Sequence, residues 1–317
     1  MIIPPSKQVK ELTQEIKIEI KGLTKYYGPT RGIENLDLEV QTGEIFGFLG
    51  PNGAGKTTTI RCMMNTLLPT KGEIKISGEL VSRGNSRLRE KIGYIPGELA
   101  LPEYYTVNEF LSYIEAMRTK PSTRRQEIID RFDLNSNLKK KIGALSKGNK
   151  QKVGIVAAFM NDPEVLIMDE PTAGLDPLLQ QVVFKLLLES KKEGKTLFMS
   201  SHNLEEVQRV CDRVGIVNDG FLISIEEIED LNKDVPRILE ARLRSPDEAR
   251  LIEFGDRLLE FRKEDNFVRL LIRMEDSIKD NIGILLAMDP EELIYPPASL
   301  EEFFLQFYEG KTKVNME

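Results

Sequence analysis

The stretch Gly50-Pro51-Asn52-Gly53-Ala54-Gly55-Lys56-Thr57 matches the pattern Gly-x4-Gly-Lys-Ser/Thr. The apolar run Ile45 to Leu49 precedes it, and a helical pattern begins at its lysine and extends to Leu67. A glycine-rich turn between a strand and a helix is the context in which this pattern binds phosphate groups. The stretch therefore predicts an α/β fold with a phosphate-binding loop at the end of a central strand.

Each residue type in this loop has a chemical task. Glycines at 50, 53 and 55 let the backbone curl so that its N–H groups point at phosphate oxygens. The following helix adds its positive N-terminal end. Lys56 would reach the β- and γ-phosphates, and the Thr57 hydroxyl would ligate the Mg²⁺ ion that bridges them. The alternative, a glycine-rich turn with an incidental lysine, is disfavoured by the flanking strand and helix.

Two adjacent carboxylates, Asp169 and Glu170, end the apolar run Val165 to Met168. A buried strand rarely ends in two acids without a partner cation. Asp169 is therefore the candidate Mg²⁺ ligand, either by direct contact with the ion or by contact with a group that binds it. Glu170 points differently and is the candidate to orient or deprotonate an attacking water. The alternative is a solvated strand end before Pro171, which the upstream phosphate loop disfavours.

The chain has a single histidine, His202, just past the predicted strand Thr196 to Met199. Catalytic residues of α/β sheets gather beyond the carboxyl ends of strands, so His202 is a candidate to contact the γ-phosphate or the water. The alternative is that His202 is only a satisfied polar residue or a helix cap, and by position alone both interpretations stay open.

Composition limits the class of protein. Of 317 residues, 40% are hydrophobic and 30% charged, which indicates a folded chain with a hydrated surface. No apolar stretch reaches the ~18 residues of a membrane helix, and no signal segment opens the chain, so we expect a cytoplasmic protein. The two cysteines, Cys62 and Cys211, form no metal-binding pair.

The net charge of −7 is unevenly distributed, with −10 from residue 221 onward, which leaves +3 for the first 220. Neither half is basic enough to predict a nucleic-acid partner. We therefore predict an N-terminal arm (1–15), a main domain (16–225) with an inserted helical block (about 98–160), and a small C-terminal domain (236–310). The pattern Thr106-Val107-Asn108-Glu109 predicts a capping box at a helix start in the inserted block.

Strands and helices alternate in the main domain, which predicts an α/β fold with a mainly parallel sheet. The C-terminal domain is predicted to be α+β. Its predicted elements are a strand (237–243), a helix (246–254), a hairpin (257–262 and 267–273), a helix (275–287), a strand (292–295) and a helix (299–309).

The motifs and their order resemble the ATP-binding cassette (ABC) family of ATPases over about residues 16–225. Asp169 follows Lys56 by 113 residues, and the segment Leu145 to Gln151 is similar to the family's signature loop. Ala173-Gly174-Leu175-Asp176 resembles the D-loop. The resemblance makes His202 the switch histidine and Tyr27 the aromatic that stacks on adenine.

The resemblance implies a P-loop ATPase that binds ATP and Mg²⁺ in a head-to-tail homodimer. Ser146 and Gly148 would then contact the nucleotide of the partner, although Ser146 read alone is an ordinary helix N-cap. The residues implied in nucleotide binding are Tyr27, Gly50, Pro51, Asn52, Gly53, Ala54, Gly55, Lys56, Thr57, Thr58, Ser146 and Gly148; the catalytic residues are Lys56, Glu170 and His202, and the metal ligands are Thr57 and Asp169.

The C-terminal stretch Ala298 to Phe304 resembles the end of ABC-2 type drug- and antibiotic-exporter subunits. An exporter subunit of this kind acts on the cytoplasmic face of the membrane and powers a separate integral membrane permease. The family couples to its permease through the segment Gly97 to Tyr105 and the helical block 107–134. Alternatives are an ABC ATPase acting on ribosomes, one acting on chromosomes, or a non-catalytic regulator.

The sequence departs from the family pattern at two places. Lys147 and Asn149 stand where the signature loop usually has glycine and glutamine. Gly97 stands where the family places a glutamine that senses Mg²⁺ and the water, and Glu98 is the hypothetical substitute. The lysines at 139–141, 147, 150 and 152 have three candidate roles: a solvated face, a higher electrostatic potential near a triphosphate, or RNA binding. The acidic net charge of the rest of the chain disfavours RNA binding.

Overall fold

The computed structural model describes residues 15–119, 121–234, 237–244, 251–264, 267–274 and 278–295. The chain divides into two compact units, Met1–Glu226 and Glu227–Glu317. The predicted N-terminal arm, apart from Glu15, and the predicted helix at 299–309 lie outside the described residues.

A six-stranded sheet runs through the first unit. In spatial order its strands are β10 (Phe221–Glu227), β9 (Arg213–Asn218), β3 (Ile45–Leu49), β8 (Thr196–Ser201), β7 (Val165–Asp169) and β6 (Ile92–Ile95). The pairings from β9 through β6 are all parallel. Strands β3, β7 and β8 are buried along their whole length, as expected where both faces of a parallel sheet are covered. The predicted α/β fold is confirmed.

A second, antiparallel sheet accompanies it. Its four strands, in spatial order, are β2 (Thr30–Gln41), β1 (Ile16–Tyr27), β4 (Lys71–Ile76) and β5 (Glu79–Leu80). This separate sheet was not predicted from the sequence. The tight Gly28-Pro29 turn joins β1 and β2 into an antiparallel hairpin. Each of these strands exposes one side to solvent, which antiparallel sheets tolerate and buried parallel sheets do not.

Seven helices of the first unit are described: α1 (Lys56–Met63), α2 (Ser86–Glu90), α3 (Val107–Ala116), α4 (Arg125–Arg131), α5 (Lys147–Phe159), α6 (Pro177–Lys192) and α7 (Leu204–Val210). Helices α3 to α5, with 3-10 turns at Asn135–Asn137 and Ile142–Ala144, follow β6 in the chain and form the inserted block. The prediction that the helix after the phosphate loop extends to Leu67 was wrong at its C-terminal end. Helix α1 stops at Met63, before Asn65 with its φ of 53°, and α5 starts at Lys147, where Ser146 caps it.

An apolar cluster between the two sheets fixes β3, the strand that carries the phosphate loop. Phe48 and Phe46 of β3 contact Phe198 of β8, with ring centroids 5.5 and 5.8 Å apart. The same cluster includes Ile60 of α1 and Ile33 of β2. Close-packed interiors deform little, so this packing fixes both the strand before the loop, β3, and the helix after it, α1.

The second unit has its own sheet and core. Helix α8 (Ile228–Asp234) is followed by β11 (Arg237–Leu243), a 3-10 helix (Ile252–Arg257), β12 (Leu258–Glu264), β13 (Phe267–Met274), α9 (Ile278–Leu286) and β14 (Glu292–Ile294). The strand order β12-β13-β11-β14 is that of a split βαβ arrangement. The predicted hairpin and flanking strands are confirmed. The predicted helix 246–254 falls partly outside the described residues, and a 3-10 helix begins at Ile252.

Candidate functional site

The loop between β3 and α1 presents free backbone donors. Gly55 has a φ of 103°, and a Cβ atom there would lie 2.4 Å from the carbonyl oxygen of Gly32, so no other residue fits. No side chain caps α1 at Gly55. Within the described residues, the N–H groups of Gly53, Gly55, Lys56 and Thr57 donate to no protein acceptor. The loop is therefore a cluster of unsatisfied donors at a helix N-terminus, which is an anion-binding arrangement.

Lys56 folds back over this loop. Its Nζ atom donates to the carbonyl oxygens of Gly50 at 2.6 Å and Pro51 at 3.0 Å, and the side chain is 5% exposed. Burial lowers the pKa of Lys56, and the nearby carboxylates of Glu170 and Asp169 oppose that shift. The ammonium group is thus a sparsely hydrated cation beside the free amides.

Asp169 ends β7 beside β8. One of its carboxylate oxygens, Oδ1, accepts a hydrogen bond from Ser200 Oγ at 2.5 Å. The other, Oδ2, is buried and has no hydrogen-bond partner among the described residues. A buried carboxylate oxygen without a donor is unfavourable unless a cation or other partner reaches it.

Glu170 reaches the lysine because its backbone turns. Its φ of 50° is in the left-handed region, and its N–H donates to Ser200 Oγ at 3.1 Å. Glu170 Oε1 lies 3.8 Å from Lys56 Nζ and 3.1 Å from Nδ1 of His202. The structure therefore brings together the lysine, the second acid and the histidine that the sequence singled out. His202 is followed by Asn203, which caps α7, so the helix-cap interpretation of His202 is wrong.

Tyr27 lies at the end of β1 beside the phosphate loop. Its hydroxyl is 3.3 Å from Thr58 Oγ1, and the residue is 45% exposed. A half-exposed aromatic ring next to a phosphate loop can stack on a base. Of the neighbouring positions, Pro51, Asn52 and Thr57 are exposed, and Ala54 is buried.

Ser146 and Gly148 stand apart from this group. Ser146 Oγ accepts a hydrogen bond from Asn149 N at 3.3 Å, so it is a helix N-cap. Within the described residues, neither residue hydrogen-bonds to the phosphate loop. Gly148 lies instead beside Gly174, whose carbonyl oxygen would be 3.7 Å from a Cβ atom at 148.

Two residues of the site were missed from the sequence. Ser200 holds both acids in place. The sequence feature that could have identified it is a hydroxyl residue at the end of β8, the strand next to the one that ends in the two acids. Gln151, which is 9% exposed, donates to the carbonyl oxygen of Pro171 at 3.0 Å and ties α5 to the segment after Glu170. No local pattern marks that contact, because the partners are distant in sequence.

Comparison with known proteins agrees with this geometry. The sequence profile of the ABC transporter family matches residues 33–173. The chain is 32% identical to the bacitracin transport ATP-binding protein BcrA of Bacillus licheniformis, over 93% of this chain and 98% of that protein. It is 28% identical to the Nod factor export ATP-binding protein I of Ralstonia nicotianae, over 91% and 92%. The dimeric structure of MJ0796, a bacterial ABC transporter cassette, superposes with a TM-score of 0.61 at 25% identity, over 67% of this chain and 98% of that one.

The fold and site define a P-loop ATPase of the ABC class. The chain belongs to the ATP-binding proteins of ABC transporters, and it binds nucleotide and hydrolyses ATP to power transport. Among the described residues, no helix has the length and apolar character needed to cross a bilayer.

Proposed function

We propose that this chain is the ATPase subunit of an ABC exporter and drives a separate integral membrane permease from the cytoplasmic face. The free N–H donors around Lys56 carry this proposal, because they form a cradle for a triphosphate that no protein group fills. The names of the similar proteins, which concern bacitracin transport and Nod factor export, favour the exporter class.

The site suits an ATP–Mg²⁺ complex. The orphaned Oδ2 atom of Asp169 and the exposed Thr57 are the protein ligands we propose for the ion. No group of three or more His, Cys, Asp or Glu side chains that could hold a metal occurs in the described part of the chain. Phosphate oxygens would therefore complete the shell, and the ion would neutralise the charge that develops on them.

The residues around the γ-phosphate position divide the work of hydrolysis. We propose that Glu170 orients the attacking water and accepts its proton, and that His202, beside the same carboxylate, keeps it directed at the loop. Lys56 would exchange its carbonyl contacts for the β- and γ-phosphates. In this structure Lys56 and Glu170 face each other at 3.8 Å, so the triphosphate would enter between a cation and a base.

We propose that hydrolysis takes place in a head-to-tail homodimer. Gly148 lies beside Gly174, and within the described residues neither Ser146 nor Gly148 hydrogen-bonds to the phosphate loop of its own chain. In the dimer, the start of α5 would meet the nucleotide held by the partner. The basic Lys147, which is exposed, would then add a cation that the usual glycine lacks.

The proposed docking surface for the permease is the segment Gly97 to Tyr105 together with the block 107–134. Four large side chains there are exposed to solvent: Tyr104 at 90%, Met117 at 62%, Tyr113 at 56% and Tyr105 at 48%. Exposed aromatic side chains are typical anchors of protein interfaces.

Purification of the tagged chain from its own cells tests this function. We expect a multi-spanning membrane protein to co-purify with it, and Tyr104→Ala to reduce the yield of that protein with nucleotide binding unchanged. Leu80→Ala removes a side chain of 48% exposure on β5 and is the matched control. Co-purifying ribosomes in place of a membrane protein would contradict the proposal and favour the ribosomal class.

A further inference from the structure

Strands β7 and β8 stop pairing just before the two residues proposed to act on the water. Their parallel ladder ends with the pair Asp169 and Ser200. Glu170 and His202 come after that pair, one in each chain segment, and their side chains still lie 3.1 Å apart, measured from Oε1 to Nδ1. Because the ladder no longer sets the spacing of the two segments there, contacts between side chains must set it.

The carboxylate of Glu206, on α7, bridges the two segments. Its Oε1 atom accepts a hydrogen bond from Thr172 Oγ1 at 2.7 Å, and its Oε2 atom accepts one from Ser201 Oγ at 2.8 Å. Thr172 lies two residues after Glu170, and Ser201 lies directly before His202. The carboxylate therefore joins the segment that carries the proposed base to the segment that carries the histidine.

Both ends of this bridge are firmly placed. Thr172 and Ser201 are each 2% exposed, so a hydroxyl that lost the carboxylate could not turn to solvent at low cost. Hydrogen bonds to a carboxylate are charge-assisted and stronger than those between neutral groups. The backbone of Glu206 is held as well, because its N–H donates to Oδ1 of Asn203, the N-cap of α7. The bridge therefore allows little change in the distance between the two segments.

We infer that Glu206 is a positioning residue for ATP hydrolysis: its two hydrogen bonds hold Glu170 and His202 at their mutual distance. Within the described residues its side chain makes no hydrogen bond to either of them, so it acts through Thr172 and Ser201. The reach of the side chain carries the effect, because only a side chain of this length spans the two hydroxyls. This inference rests on the catalytic roles proposed above for Glu170 and His202.

Steady-state kinetics of ATP hydrolysis in three variants at position 206 tests the bridge. Glu206→Ala removes both acceptors and should lower kcat about 10- to 100-fold with the KM for ATP unchanged, because the misplaced groups act on the transition state. Glu206→Asp keeps the charge but is one methylene group shorter, and it should show the same loss. Glu206→Gln keeps the length, can accept from one hydroxyl and donate to the other, and should retain most of the activity.

Glu205→Ala is the matched control. It removes a neighbouring carboxylate of α7 that is exposed and whose side chain makes no hydrogen bond in the described part of the chain, so kcat should stay at the wild-type value. A wild-type kcat in Glu206→Asp would overturn the inference, and so would a Glu206→Gln protein as slow as Glu206→Ala.

A double-variant cycle separates positioning from a general loss of stability. In a His202→Ala background, Glu206→Ala should lower kcat by no more than about 2-fold, because the pair that it positions is already broken. An equal loss in both backgrounds would contradict the inference.

Thr172→Val provides a second variant should thermal unfolding show that Glu206→Ala folds poorly. It removes one hydroxyl of the bridge at nearly unchanged volume and should lower kcat with KM unchanged, and a wild-type kcat would again overturn the inference. If Glu170→Gln and His202→Ala both hydrolyse ATP at the wild-type rate, the catalytic roles proposed for those residues are refuted instead, so the two failures are distinguishable.

Discussion

Glu170 shows how one backbone angle directs chemistry at the residue scale. Successive side chains of a strand point to opposite faces, so Asp169 and its neighbour would diverge if β7 simply continued. A φ of 50° at Glu170 turns the chain and places the carboxylate between Lys56 and His202. Such a conformation costs about 1–3 kcal/mol and persists only where the surroundings hold it. Here Ser200 holds it through its hydroxyl group.

Lys56→Ala tests the phosphate loop. We expect it to abolish saturable ATP binding, because a poorly hydrated ammonium group is lost from the cluster of free amides. Isothermal calorimetry with ATP and Mg²⁺ measures the effect. Lys185→Ala removes an exposed lysine from α6 and should bind ATP as wild type does. Wild-type affinity in Lys56→Ala would refute the assignment of the loop.

At the scale of the element, the start of α3 combines a local signal with a tertiary role. Thr106 Oγ1 accepts from Glu109 N at 3.2 Å, and Glu109 Oε2 accepts from Thr106 N at 2.7 Å. The capping box predicted from the sequence is therefore confirmed. Thr106 also bridges to Lys141, so the same residue fixes α3 against the chain that leads to the signature loop.

Thr106→Ala should destabilise the first unit by about 1 kcal/mol, the usual effect of removing an N-cap hydroxyl. Urea unfolding followed by circular dichroism measures it. Thr123→Ala is the control, because Thr123 is exposed and makes no hydrogen bond in the described residues. Equal midpoints for the two variants would show that the cap contributes nothing.

The same box predicts a pH dependence. Hydrogen bonds from the backbone N–H and hydroxyl of Thr106 lower the pKa of Glu109. A carboxyl whose pKa is lower in the folded state stabilises the fold above its unfolded pKa, about 4.3, and loses that effect as the pH falls through the folded value. The difference in stability between wild type and Thr106→Ala should therefore shrink below about pH 4. A difference that stays constant down to pH 2 would contradict this.

At the scale of the whole molecule, the residues that we propose for the ATPase site do not all lie together within one chain. The phosphate loop, both acids and His202 converge at the carboxyl edge of the parallel sheet, whereas Gly148 lies beside Gly174 and Ser146 caps α5. This separation is the structural reason to expect that activity depends on a second copy.

Glu170→Gln should keep ATP binding, slow hydrolysis by about 10²–10⁴-fold and accumulate the dimer, because the amide cannot accept the water's proton. Light scattering after gel filtration with ATP and Mg²⁺ measures the dimer, and phosphate release measures turnover. Glu39→Gln alters an exposed carboxylate on β2 and should leave both unchanged. A monomeric, fully active Glu170→Gln protein would contradict the assignment.

The sequence by itself determined the strand–loop–helix around Lys56, the acidic end of β7, the capping box at Thr106 and the hairpin of the second unit, because each depends on residues that are neighbours in the chain. The tertiary structure alone decided the second sheet, the support of both acids by Ser200, and the bridge of Glu206 between Thr172 and Ser201. These three features depend on which strands lie side by side. The order of the strands follows from burial summed over the whole fold, and no local sequence pattern records it.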